Sequence, residues 1–533
     1  MKIGKHVRPI AFGAGAILMG LFSVAPADVV AQELRIATSY KLMTLDPHFA
    51  NLNETNSLLS QIYERLVYQD EKLEMKPSLA TSWRRLSETR WEFKLRENVK
   101  FHNGAAFTSA DVVHSIDRIQ NLLKPPSGGY QSYVKGIKSV SAPDALTVTF
   151  ETNGSLPSLP LFLSSIFIVS KQASGFLTTE QLNGGTPPPN GTGPYTFKNW
   201  RSGESFEVVR NDDYWGGRPS WSDVTFRIIE NPAARVAALS TGDVDIADFI
   251  PARDVPSLKQ RGATVANISA ARLNFVQFDV ANDQAPGVTD KAGKSIPNPF
   301  RDVKVRRALA MAVDRNVIVD KILSGFGTAA AQVFPNGLPG TSANLVTEPP
   351  RYPEAKALLA EAGYPNGFNV VLAGPAGRYP GDLESLQAIA QSWARIGVGV
   401  QPLAVPFSVF NTKRAAGEYG IWYGGGSGES ADILVSALLG TANSQGDRGS
   451  LNYGKYSNPA FDEMLGKAQG IEVGPERYGA IATATEFVLR DQPIIPLYHF
   501  DHVFGYGKKV ATYTMHPRGW TTAMQAAPST EAK

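Results

Sequence analysis

No cysteine occurs anywhere in the 533 residues, so no disulfide can staple this chain and its fold must rest on core burial alone. The constraint is sharp because the sequence opens like that of an exported protein. Lys2, Lys5 and Arg8 precede the apolar run IAFGAGAILMGLFSVA (residues 10–25), and Val29 and Ala31 place a cut after Ala31. Residues 1–31 therefore read as a signal peptide. The run is too short and too glycine-rich for a transmembrane anchor. Without a thiol there is also no site for lipid attachment, so the expected location is the bacterial periplasm, free of the membrane.

A chain of this length exceeds what one hydrophobic core serves, and two or three domains are expected. Removing residues 1–31 takes away three basic residues and Asp28, so the formal net charge falls from +3 to +1. That balance gives no footing for nucleic acid or for an acidic membrane surface.

Strand-like and helix-like segments alternate, which points to an α/β fold. In WEFKL, Trp91, Phe93 and Leu95 share one face and Glu92 and Lys94 the other. Thr108 and Asp111 form a capping-box pattern ahead of an apolar-periodic run, and Asn458 with Pro459 opens another helix. Leu386, Ile389, Trp393 and Ile396 make one apolar stripe, which reads as core. Two stretches break the pattern: NGGTPPPNGTGPY (183–195), a domain crossover or a cleft loop, and ANDQAPGVTDKAGKSIPNPF (281–300).

The motifs that would carry chemistry fail on spacing. GVTDKAGKS has five residues between Gly287 and Gly293 where a phosphate loop needs four, and IPNPF follows where a helix must start. Ser427 lacks the second glycine of a nucleophile elbow because Glu429 occupies that place. Ser132 and Lys135 have none of the companion motifs of a serine acyl-transfer enzyme. His499 and His502 fall on opposite faces of an expected strand, so no protein-only metal site and no cofactor is expected. Arg306 and Arg307 read as helix-capping or solvated. No catalytic constellation is left to support a secreted hydrolase, so the chain does not read as an enzyme.

What remains unexplained is GIWYGGGSGESADI (420–433), where aromatic residues give way to glycines. The glycines leave room for a passing extended backbone, with Trp422 and Tyr423 as apolar walls. A tight glycine hairpin beside a core tryptophan satisfies the stretch equally.

Five passages resemble one family: MTLDPHF from Met43; the long run SLATSWRRLSETRWEFKLRENVKFHNGAAFTSADVVHSIDR from Ser78; GTGPYTFKNW followed by NDDYWGG; NPFRDVKVRRALAMAVDR; and KYSNPAFDEML. The chain resembles the family 5 solute-binding proteins of ABC importers, the dipeptide, oligopeptide and nickel group. The resemblance implies a type II periplasmic-binding-protein fold of three lobes: lobe I from 33–67, 190–278 and 493–525, lobe II from 68–189, and lobe III from 279–492. It implies a monomer that encloses an extended solute, most simply a peptide, between lobes I and III and delivers it to permease subunits in the inner membrane. A metal chelate, an oligosaccharide or an opine-like conjugate is the alternative cargo. GSGES, GKYSNP and RDQPIIPL are similar to a proteobacterial peptide-binding subgroup.

Carried over residue by residue, the resemblance places ligand contacts at Tyr40, in NLNETNS (Asn53, Glu54, Thr55 and Asn56), and along Trp422, Tyr423, Gly424 and Gly425. Where dipeptide and oligopeptide binders have an aspartate for the ligand's amino terminus, this chain has Gly424 and Gly425, and Glu429 or Asp432 would have to substitute. Arg378 is the expected partner for a ligand carboxylate. For the export reading, N-terminal sequencing of protein recovered from the periplasm should start at Gln32. A chain starting at Met1 contradicts it.

Overall fold

In a computed structural model of the chain, residues 32–122, 129–174, 177–443 and 448–530 are described, together with Met1 and Gly4. The expected signal peptide lies outside them. Among the described residues no helix is long and apolar enough to cross a membrane.

Two long strands organise the molecule. Thr264–Phe278 spans 15 residues and pairs antiparallel with Ile494–Tyr506, which spans 13. Their pairing runs from Thr264 opposite Tyr506 at one end to Gln277 opposite Ile494 at the other. At the first end the Ile494–Tyr506 strand continues the sheet through Ile246–Ala247 to Glu33–Thr38, Asp223–Ile228, Ser205–Arg210 and Tyr195–Arg201. At the second, Thr264–Phe278 pairs with Ile421–Ser427, which pairs parallel with Asn369–Ala376. One sheet thus runs through two bodies with separate cores. The first is packed around Leu34, Phe206, Trp221 and Phe226, the second around Phe300, Leu309, Leu386 and Trp393.

A separate four-stranded antiparallel sheet is built from Ala80–Ser87, Arg90–Leu95, Thr147–Thr152 and Ile137–Asp144. Trp91, Phe93 and Leu95 are buried on one face while Glu92 and Lys94 look outward, as the alternation in WEFKL requires. The helix Ser109–Asp117 opens with the Thr108–Asp111 capping box, and Asn458 accepts a hydrogen bond from the Phe461 N–H to cap Pro459–Gln469. Arg306 is buried rather than solvated. Its guanidinium donates to the carbonyls of Phe300, Arg301, Asp491 and Gln492, tying together two segments far apart in the sequence.

The proline- and glycine-rich segment 183–195 carries the chain from beside this smaller sheet to the first body. Gly191 and Gly193 lie so close to the Ile62 backbone that a Cβ would fall 2.0 and 2.6 Å from its carbonyl oxygen. Only glycine permits that approach.

Asp46, from the MTLDPHF passage, and Arg118, from the end of the long run, meet in a bidentate ion pair at 2.8 Å with almost no solvent exposure. Thr179 donates a third hydrogen bond to Asp46. Burial alone would raise the Asp46 pKa, but the Arg118 hydrogen bonds and charge outweigh it and hold the carboxyl below its ordinary 3.8. Its contribution to stability is therefore complete above that value and is lost as the pH falls below it. Asp46→Ala leaves Arg118 buried without a counter-charge, its guanidinium keeping only the Leu177 carbonyl, and should cost about 3–5 kcal/mol in urea unfolding. A loss under 1 kcal/mol would show that the guanidinium finds water instead.

Candidate functional site

The pairing of the two long strands breaks register twice near their middle, slightly between Asn274 and Phe275 and more widely between Ser269 and Leu273. Ser269 stands opposite Asp501 and Leu273 opposite His499, so Ala270, Ala271 and Arg272 together face only Phe500. Such a bulge ends regular pairing locally and re-aims side chains. Here the Ala271 N–H bonds the Pro517 carbonyl, and the His499 ring bonds the Arg272 carbonyl at 3.1 Å.

Over this bulge lies a cavity of about 710 Å³. Its size falls within the roughly 300–1,000 Å³ of ordinary small-ligand sites. Ser39, Tyr40 and Asn51–Glu54 line it on the side of the first body, and Arg378–Pro380 with Ser427–Glu429 on the side of the second. Ser132, Tyr133 and Arg518 complete the wall. Another depression, of about 490 Å³, lies between Arg307, Val346, Arg351 and Glu486 and contains none of the expected contacts.

One side of the cavity is aromatic. Tyr40 and Phe249 rings are 5.0 Å apart, and His502 meets Phe249 and Phe500 edge-on at 5.2 and 5.7 Å. Phe249 holds φ at 46°, a left-handed conformation costly for an aromatic residue and of the kind that collects at binding sites. Burial, helped by the Arg272 charge, lowers the His502 pKa to about 4, so the ring is neutral at pH 7. Burial also raises the Tyr40 phenol well above its usual value.

The charged groups fall into two kinds. Glu429 is engaged: its Oε1 accepts from the Tyr133 hydroxyl at 2.7 Å and from Arg518 at 3.3 Å, and its carbonyl accepts from Gln69. Glu54 and Arg378, by contrast, form no ion pair among the described residues. The Arg378 guanidinium rests over the Phe407 ring at 4.8 Å. Arg272, the only charged residue in Thr264–Phe278, likewise has no partner for its guanidinium among the described residues.

Of the residues expected from the sequence, Tyr40, Asn53, Glu54, Arg378 and Glu429 line this cavity together. The others sit elsewhere, for reasons the geometry makes plain. Trp422 is 2% exposed and packed against Ala373, Phe410 and Tyr419, so it is core rather than an apolar wall. Tyr423 is fully buried, its hydroxyl bonded to Asn274 and Tyr498. Gly424 and Gly425 pair with Phe275 and Asn274 on the neighbouring strand. A Cβ on Gly425 would meet the Tyr379 ring at 2.9 Å, so what crowds that glycine is the chain's own tyrosine. Asp432 is ion-paired to the buried Arg477 and takes a hydrogen bond from Ser430, which removes it as a receiver for an amine. Thr55 and Asn56 are buried in the helix Asn53–Leu59, Asn56 bonded to Asn51 and Tyr130.

The sequence reading missed Arg272, Tyr133, Arg518 and the Phe249–Phe500–His502 wall. A lone charge in an otherwise uncharged strand was the available signal for Arg272.

A mixed α/β chain whose bodies share two crossing strands beneath a ligand-sized cavity has the architecture of a multi-lobed solute receptor. Residues 74–446 match the model of the bacterial extracellular solute-binding proteins, family 5 Middle, and the chain belongs to that family. It is 29% identical to heme-binding protein A of Haemophilus influenzae, over 87% of this chain and 86% of that one. It is 28% identical to the glutathione-binding protein of Pectobacterium atrosepticum, over 93% and 94%. Its fold superposes on the solved structure of HbpA2 from Haemophilus parasuis with a TM-score of 0.80 at 26% identity, covering 93% of this chain and all of that one.

Because Trp422 is core, Trp422→Ala should lower stability by about 3–5 kcal/mol, as large-to-small core substitutions do, visible in a denaturant titration. Ligand affinity of the folded fraction should change less than about threefold. An intact melting temperature with affinity lost would return Trp422 to the ligand's surroundings.

Proposed function

We propose that the protein is the periplasmic receptor of an ABC importer and binds a short peptide in the cavity over the Ala270–Arg272 bulge. The observation that carries this reading is the pair of unmatched opposite charges on facing walls: Glu54 on one, Arg378 on the other. A zwitterionic peptide supplies the complement of both, its amine to Glu54 and its terminal carboxylate to Arg378. The Tyr40–Phe249–His502 wall offers apolar surface to side chains between them.

The bodies are joined by two strands, and small rotations about such elements open and shut a cleft. A ligand that touches both bodies stabilises the shut form by its differential contacts. Glutathione and a dipeptide, for which two relatives are named, are short peptides, while heme, for which a third is named, is a metal chelate, so the peptide reading rests on the Glu54 and Arg378 charges rather than on the names. Delivery to permease subunits follows from the family's place in import, and no bond of the solute is made or broken.

Incubation with a mixture of di- and tripeptides should raise the melting temperature, and the bound fraction should be recovered at unchanged mass. Cleaved peptides would show an enzyme instead. Glu54→Gln should weaken binding of a free peptide about tenfold or more, the size expected for a charge-assisted hydrogen bond, while an N-acetylated peptide binds wild type and variant alike. Equal losses for both peptides would remove Glu54 from amine recognition.

A further inference from the structure

We infer that Arg272 forms a second anion subsite in the cavity, so that the solute this receptor selects carries one carboxylate beyond those of a simple zwitterion. The inference rests on the reading that the cavity over the bulge holds the ligand.

Three arginines and two carboxylates line the cavity. Arg518 is matched by Glu429. If Arg378 takes the ligand's terminal carboxylate and Glu54 its amine, Arg272 is left as a cation without a counter-charge. His502 does not change the count, since it is neutral at pH 7.

The position of Arg272 is built rather than incidental. In a regular ladder it would pair with the Ile494–Tyr506 strand, and the three-against-one bulge releases it from that pairing toward the cavity. On its other side it stands opposite Ser427, at the edge of the Ser427–Glu429 lining. Burial lowers its pKa, with the nearby Arg378 charge acting in the same direction, while Tyr379, Tyr40 and Glu54 raise it. A guanidinium in such surroundings gains most from a carboxylate, whose two oxygens match its planar fork. When the cleft shuts over a ligand, an unpaired cation loses water and its cost rises unless the ligand supplies an anion. A neutral or basic side chain placed there leaves that cost standing, and specificity follows from the difference.

The proposal is tested with peptide pairs that differ only by a carboxylate against a carboxamide: Ala-Glu against Ala-Gln, Glu-Ala against Gln-Ala, and Ala-Glu-Ala against Ala-Gln-Ala. Wild type should bind the acidic member of at least one pair tenfold or more tightly. Arg272→Gln should reduce that ratio below threefold while leaving the amide peptide's affinity within about twofold. Ligand-free Arg272→Gln should also melt higher than wild type, because an unpaired charge has been removed from a largely buried place; a fall in melting temperature would mean that the guanidinium has a partner in the free protein and would overturn the proposal. So would a wild type indifferent to the carboxylate, as when Arg272 and Arg378 clamp a single terminal group, or an Arg272→Gln variant that keeps the preference. If none of the peptides binds, the peptide reading fails, and glutarate against glutaramide decides the anion subsite alone: stabilisation of wild type by glutarate, lost in Arg272→Gln, supports it, and no stabilisation overturns it.

Discussion

The antiparallel pairing of Thr264–Phe278 with Ile494–Tyr506 is the constraint on which the rest of the structure depends. Main-chain hydrogen bonds fix these strands to each other, and each also belongs to the sheet of one body, so the bodies cannot separate without breaking a buried ladder. The same pairing has its widest register break between Ser269 and Leu273. At the bulge the chain gives up regular pairing, and Ala270, Ala271 and Arg272 line the cavity there. Scaffold and site are therefore one feature, since the element that joins the bodies is also the floor of the cavity between them.

Around that floor the cavity is closed by contacts that differ in kind. Glu429 is held by Tyr133 and Arg518, and Asp432 by Arg477, so these carboxylates link parts of the chain rather than wait for a ligand. Glu54, Arg378 and Arg272 are the charges left over. A cavity that keeps unmatched charges of both signs binds by supplying what the solute lacks, and its electrostatics act more on choice than on raw affinity. Aromatic surface at Tyr40, Phe249 and Phe500 gives the less specific part of the attraction.

How much of this could be read in the sequence divides along the range of the signal. Local patterns were legible: the alternation of Trp91, Phe93 and Leu95, the Thr108–Asp111 box, the Asn458 cap and the apolar stripe of Leu386, Ile389 and Trp393 all state their own burial or hydrogen bond. The α/β class came from the alternation of strand-like and helix-like segments, and the lobed binding-protein fold from five passages that resemble a family. Site residues were legible only in part. Trp422 followed by glycines looks the same whether the ring faces a ligand or Phe410, because the difference lies in how Ala373, Phe410 and Tyr419 close around the ring, which is a matter of tertiary packing. Asp432 could not be discounted without knowing that Arg477 lies against it. Arg272 was missed for the complementary reason. Its direction is set by a register shift between strands more than 200 residues apart, and no local pattern records a register shift.

The central claim, that the ligand lies over the bulge between Glu54 and Arg272, is tested most directly by a crystal structure of the protein with a bound acidic peptide. The account predicts the peptide's amine at Glu54 and a carboxylate within hydrogen-bond distance of the Arg272 guanidinium, with Trp422 still packed on Phe410. A peptide bound instead against Trp422 and Gly424, with Arg272 turned away from it, would contradict the account.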